Sequence, residues 1–430
     1  MKNYFAYILL TVFTAFLVSG CGDNSVPNIP PVSTTINVNG RVADIFGTPQ
    51  SGISVIIGNQ TVTSGADGNF TINNVNKPYD CQMLELSGNQ KYGSLFKGLN
   101  STSPRLTIIS GLSDPPQYSS NIVVTFPNGL IPAGKKVLLF YSDTTNVIYG
   151  KINTGPVSGA VTYSVPWANN NSTINGKVRA LIYSVDVSDN IISYDNYAEA
   201  ELPVTGGGQS IWQPTMADFA LNPGEVNLTA TINPPGGYSI VVSAIFINFS
   251  KLTNNPFILS ALAPLISYTT TANISGLVPS GLPSDFTLNL LTRIVEPSGA
   301  GGYKSTIVQA GINNQVTIEP ASVLNTPLNG ATGIDTNSVF DYSQGTGSGV
   351  YAVKYSGANN TYIVYTSGLN ITIPNFSPDL NIEPNTSHSW RVTKYQGLNS
   401  VDEYVNSELF HMVNLPGNLT SASRTFTTAP

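Results

Sequence analysis

From Thr35 onward the chain keeps breaking into short runs that alternate apolar and polar residues. A period of two puts successive side chains on opposite faces of a strand, so each run can bury one face and wet the other. In "TINVNGRVADIFGTPQSGISVIIGNQTVTSGADGNFTINNV" the residues Val38, Val42, Ile53, Val55, Ile57, Val62, Phe70 and Ile72 share one such face. Gly47-Thr48-Pro49 and Ala66-Asp67-Gly68-Asn69 separate the runs as turn signals, with Gly68 expected at positive φ. Comparable runs recur about every 8–12 residues through the rest of the chain, the spacing of sandwiches. The pattern predicts an all-β chain of tandem β-sandwich domains.

Composition narrows the function classes. Only 10% of residues are charged, with 24 acids against 18 bases and no Lys/Arg cluster, so nucleic acid is not an expected partner. The chain is long enough for several domains of ordinary size, and 39 glycines and 29 prolines punctuate it throughout.

The first twenty residues have the parts of an export signal: Lys2, an apolar run from Tyr4 to Leu17, then small residues. Leu17-Val18-Ser19-Gly20-Cys21 resembles the bacterial lipobox. That resemblance implies cleavage before Cys21 and lipidation of its thiol by diacylglycerol, with palmitate-type chains holding the protein at a membrane. Each buried methylene contributes about 0.8 kcal/mol, so two or three chains anchor durably. Gly22 and Asp23 follow, which by the sorting pattern of such proteins implies the outer membrane. With Cys21 acylated, Cys81 has no disulfide partner. Residues 22–34, with Pro27, Pro30 and Pro31, read as an extended tether.

The expected division is a signal peptide at 1–20, a lipidated tether at 21–34, and sandwiches at 35–113, 114–205, 206–320 and 321–430. The first sandwich resembles the carboxypeptidase regulatory-like family, which is transthyretin-like, through Gly40-Arg41-Val42, Asp44, Gly47, Pro49, Gly52, Val55, Asp67-Gly68 and Phe70. In that family the module is an accessory domain without catalytic residues. The middle two read as diverged copies: "SNIVVTFPNGLIPAGKKVLLFYSD" parallels "VNLTATINPPGGYSIVVSAIFINFS" about 106 residues later. "PVTGGGQS" (203–210) is expected to be a hinge between them, and "PFILSALAPLI" (256–266) a buried strand or short helix. The last sandwich resembles a fibronectin type III-like domain through Val339-Phe340-Asp341-Tyr342, Tyr351-Ala352-Val353-Lys354-Tyr355, the stretch Ile382 to Val392, and Phe426-Thr427-Thr428. Tyr342 stands where that family has a core tryptophan, and His388 where it has a corner tyrosine.

Chemistry is sparse. His388 and His411 are the only histidines, so no Ser–His–acid triad forms in the first three domains and no zinc set of four N/S ligands is available. His388 is expected to be a strand residue bonded to a backbone carbonyl. Asp67 with Asn69, and Asp186, Asp189 and Asp195, are the densest acid groups, read as turns rather than calcium ligands. Asp189-Asn190 is expected at a hairpin tip. Cys81 should be a small buried residue whose thiol Asp80 makes less acidic. Trp167 and Trp212, beside polar sequence, are the candidate rings for stacking on a ligand, while Trp390 belongs to the core. No catalytic residue, metal or cofactor is assigned. The expected role is a non-enzymatic, lipid-anchored envelope protein that spaces, adheres or binds other envelope proteins. The alternative is a glycan-binding lipoprotein supporting polysaccharide handling.

Overall fold

The computed structural model describes residues 35–430 apart from 45–47, 109–117, 144–148, 158, 168–170, 250–264, 285, 375–381 and 408–416. The expected signal peptide and tether, Cys21, His411 and nearly all of the 256–266 run lie outside the described residues. The rest is β-structure with one short helix.

Module 1 contains β1 (Thr35–Ala43), β2 (Ser54–Ile57), β3 (Gln60–Thr63), β4 (Asn69–Asn76), β5 (Tyr79–Ser87), β6 (Gln90–Leu99) and β7 (Arg105–Thr107). One sheet runs β4-β1-β7, and the facing one runs β6-β5-β2-β3. The alternating residues meet between them: Val38, Val42, Ile53, Val55, Ile57, Phe70 and Ile72 are buried, and Val62 packs at the margin. Gly68 turns at φ 73°, and its N–H donates to Gly65 O at 2.9 Å.

Module 2 contains β8 (Tyr118–Thr125), β9 (Lys135–Asp143), β10 (Tyr149–Thr154), β11 (Ala160–Trp167), β12 (Thr173–Val185), β13 (Ile191–Thr205) and β14 (Gln209–Trp212). Module 3 contains β15 (Glu225–Asn233), β16 (Ser239–Phe249), β17 (Leu265–Thr269), β18 (Ala272–Pro279), β19 (Phe286–Val295), β20 (Gly301–Val308) and β21 (Asn313–Thr317). Their strand orders correspond one for one: β11-β8-β14 facing β10-β9-β12-β13, and β18-β15-β21 facing β17-β16-β19-β20. Even the parallel last strand recurs, β14 beside β8 and β21 beside β15.

The glycine run is not a hinge, which corrects the boundary placed at 205/206. Gly206 and Gly207 donate to Ser172 O and Ser119 O, both at 2.7 Å, and Gly207 turns at φ 71°. The run is a tied-down turn that returns the chain as β14, whose Trp212 enters module 2's core. Gly206 serves here because the space is taken, since a Cβ on it would fall 2.6 Å from the Tyr118 ring, and Gly207 because its φ is positive.

Module 4 contains β22 (Leu324–Thr326), β23 (Ala331–Ile334), β24 (Val339–Tyr342), β25 (Gly349–Ser356), β26 (Asn360–Thr366), β27 (Asn370–Thr372), β28 (Ser387–Gln396), α1 (Val401–Asn406), β29 (Gly417–Thr420) and β30 (Arg424–Thr428). Its β22-β24-β27 sheet faces β26-β25-β28-β30, a fibronectin type III-like arrangement. The core centres on Phe340, with Tyr355, Trp390 and Phe426 set edge-on around it at 4.9–5.2 Å.

The modules are not separate beads. β20 of module 3 pairs with β29, and β26 pairs in parallel with β6 of module 1, so one 14-stranded sheet runs through modules 3, 4 and 1. Side-chain alternation then sends the two faces to different cores. On β25 and β26, Tyr351, Val353, Tyr355, Tyr362 and Val364 point into module 4. Their alternates Val350, Ala352, Ile363 and Tyr365 point into the core of module 1. Leu95 of β6 makes the reverse crossing, joining module 4's core. Modules 1 and 4 therefore lie on opposite faces of a shared sheet.

Candidate functional site

Trp167 and Trp212 are not surface platforms. They are 1% and 8% exposed and belong to module 2's core. Trp167 shares its inward parity with Tyr163 and Val165 on β11, and its Nε1–H donates to Asn171 O at 2.9 Å. Tyr118 stacks on it at 5.7 Å. Trp212 ends β14 opposite Val124 and packs near Phe219. Each ring sits at the last residue of its strand, so the polar sequence that follows says nothing about the inward parity of the strand itself. This corrects the expectation of exposed stacking rings and removes the residues on which the glycan alternative rested.

The acid groups are spent on turns and on contacts between strands. Asp67 accepts from Asn69 N at 3.0 Å and from Asn69 Nδ2 at 2.6 Å, which holds its carboxyl below the usual range. Asp186 accepts from Ser188 N and Asn190 N, both at 2.8 Å, closing the β12–β13 hairpin, with Asp189 at φ 69° on its tip. Asp195 accepts from Ser184 Oγ and Ser193 Oγ and pairs with Lys135 at 3.2 Å. Among the described residues, no group of three or more His, Cys, Asp or Glu side chains could hold a metal.

Cys81 lies in β5, fully buried. Burial first and the Asp80 charge second push its thiol well above the ordinary range, so it is a packing residue rather than a nucleophile. His388 is a buried strand residue, stacked on Phe426 at 5.4 Å. It differs from expectation in one respect: neither ring nitrogen has a hydrogen-bond partner. The ring fills space against Gly357, where a Cβ would fall 2.6 Å from it.

Two buried cations were not visible in the sequence. Lys394, wholly buried, pairs with Glu319 at 3.0 Å and donates to the carbonyls of Thr346 and Gly347 where modules 3 and 4 join. Arg179, 2% exposed, reaches Glu199 at 3.1 Å and donates to Ser142 Oγ. Glu199 also accepts from Lys177 and Tyr197. Burial alone would raise its pKa, but these donors outweigh it and hold the carboxylate ionised. Cross-strand register brings such partners together from distant positions, so no local motif announces them.

Beside the Arg179 group, Phe140, Leu181, Tyr183, Tyr194 and Tyr197 meet Ile247, Leu277 and Phe286 of module 3. A cleft of about 530 Å³ opens at the end of module 3, lined by Val226, Pro279, Leu282, Phe286 and Ile307 among others. A second, of about 450 Å³, lies on module 1 between Ser51–Ser54 and Leu84–Leu86. No helix among the described residues is long and apolar enough to cross a membrane.

No family model and no curated protein matches the chain. Among solved structures it is similar to a candidate adhesin of Bacteroides ovatus, at 9% identity and TM-score 0.18, over 51% of this chain and 100% of that one. It is similar to the FN1–FN3 domains of chicken CNTN1, at 9% identity and TM-score 0.17, over 74% of this chain and 100% of that one. A tetra-tandem repeat from the extending region of a large adhesion protein aligns at 11% identity and TM-score 0.15, over 91% and 99%. Overlaps of this size carry no functional argument. What the strands themselves define is an all-β protein of tandem sandwiches joined through shared sheets.

Proposed function

We propose that this chain is a lipid-anchored envelope protein, attached through Cys21 at the outer membrane, that acts as a non-enzymatic adhesion or protein-interaction module. The observation that carries the reading is Leu17-Val18-Ser19-Gly20-Cys21, placed before a proline-bearing tether that leads into the sandwiches. Fusion of three modules into one sheet supports it, because a stiff body transmits a contact made far from the membrane better than a flexible string does. Carboxylates committed to turns and strand contacts, and the buried thiol, favour a role without catalysis.

Cys21→Ala tests the anchor. Cells fed a palmitate analogue should label the parent protein in the membrane fraction, and the variant should lose the label and appear in the soluble fraction. Surface attachment of the cells should fall to the level of a deletion strain. A variant that stays labelled, or attaches as well as the parent, would overturn the reading.

A further inference from the structure

Module 1 does not close its own core. Between the sheets of β1 and β5 the apolar set includes Val350, Ala352, Ile363, Tyr365, Leu398, Val401 and Val405, all contributed by module 4. The junction is stitched at three levels. β6 and β26 pair in parallel from Lys91↔Asn360 to Phe96↔Tyr365. An aromatic stack then crosses the junction: Phe96 lies on Tyr365 at 4.7 Å with the rings 3° from parallel, Tyr365 on Tyr404 at 4.8 Å, and Tyr404 beside Tyr395 at 5.2 Å. Finally, Asp402 of α1 accepts from Asn100 N and Ser101 N, each at 2.8 Å, and Ser101 Oγ donates to Asn406 Oδ1 at 2.6 Å.

These contacts are of core quality, not of the polar, partly wet kind that joins independent domains. Removing module 4 from this face would expose Phe96, Leu99 and Leu106, all now fully buried. It would also open the β6 edge. We infer that β25, β26 and the segment Leu398 to Val405 complete module 1's core, so that β1, β4, β6, β7, β26 and α1 open and close as one cooperative unit. The first module cannot detach from the last and stay folded. In an anchored protein, tension entering through β1 reaches module 4 by way of the core the two modules share. That consequence rests on the proposed anchoring; the unit itself does not.

Hydrogen exchange read by mass spectrometry on the chain from Gly22 onward tests the unit without any lipid. Val405 lies on α1, is fully buried and faces module 1 rather than module 4's own core. In Val405→Asp, amides of β1, β4 and β7 should exchange about a hundredfold faster or more, because a carboxylate is forced into an apolar site. In the milder Val405→Ala the acceleration should be about tenfold. Amides of β8–β14 and of β24 and β27 should stay as in the parent. Acceleration confined to α1, or β1, β4 and β7 unchanged in both variants, would overturn the inference while leaving the palmitate result untouched. Loss of protection in every module in Val405→Ala would equally refute a unit limited to modules 1 and 4.

Discussion

Modules 2 and 3 share a strand order yet complete themselves differently. Module 2 is closed by its own bulk, with Trp167 and Trp212 filling the space between its sheets. Module 3 has no tryptophan in its core and takes in Leu419 from β29 of module 4. The outer strand of the larger sheet shows why. β13 opens with Ile191 and Ile192, whereas β20 opens with Gly301 and Gly302. A Cβ on Gly302 would fall 2.0 Å from Asn418 O, and one on Gly417 would fall 2.6 Å from Tyr303 O. Bare backbone at those points is what lets β29 approach and pair. One topology therefore yields a closed sandwich or a joining one according to a few side chains at one edge.

The sharpest break in that comparison comes from emptying each core. Trp167→Ala should cost about 4 kcal/mol and Leu419→Ala about 3 kcal/mol. Hydrogen exchange should place the first loss in module 2 and the second in module 3, although Leu419 belongs to the last module's chain. Gly302→Val should come next, at about 3 kcal/mol, because β29 must move away. Chemical denaturation should show the loss, while Ile192→Val at the matching end of β13 should stay within about 0.5 kcal/mol of the parent.

Lys394 sharpens the junction further, since it is Leu419's cross-strand partner. Lys394→Ala strands the Glu319 carboxylate and two carbonyls, and a loss of about 2 kcal/mol of unfolding free energy in chemical denaturation is expected, less than a fully buried pair would give because Glu319 is partly exposed. The smallest effect is one of pH. Burial lowers the pKa of His388, against a weaker pull upward from Glu383. As pH falls through about 6.5 the unfolded chain takes up its proton before the folded one, so stability should decline there and be fully present above it. His388→Phe should flatten that slope in urea titrations at about pH 7.5 and 5.5. Modules 2 and 3 contain no histidine to contribute to it.

The alternation from Val38 to Ile72 made the strands of module 1 legible, and the 106-residue echo pointed to the shared layout of modules 2 and 3. Gly68, the Asp189 tip and the buried Cys81 also followed from local chemistry. What local chemistry cannot convey is which strand edges meet. A turn-rich neighbourhood made Trp167 and Trp212 look exposed, and three glycines looked like a hinge, because inward parity and long-range pairing decided those cases. The same holds for Lys394 and Glu319, 75 residues apart in the chain. In His388, the position indicated burial but not that its nitrogens would go unpaired.

The shared sheet also bears on how such a chain avoids its neighbours. A lone sandwich leaves strand edges whose free N–H and C=O groups invite another copy to add on. Each of the two junctions, β20 with β29 and β6 with β26, satisfies two such edges against each other. At the far end of the run β3 is only four residues long and mostly exposed, a poor template for further growth. By using its own edges as glue, the chain joins modules 3, 4 and 1 without a disulfide and removes four strand edges on which crowded copies could add.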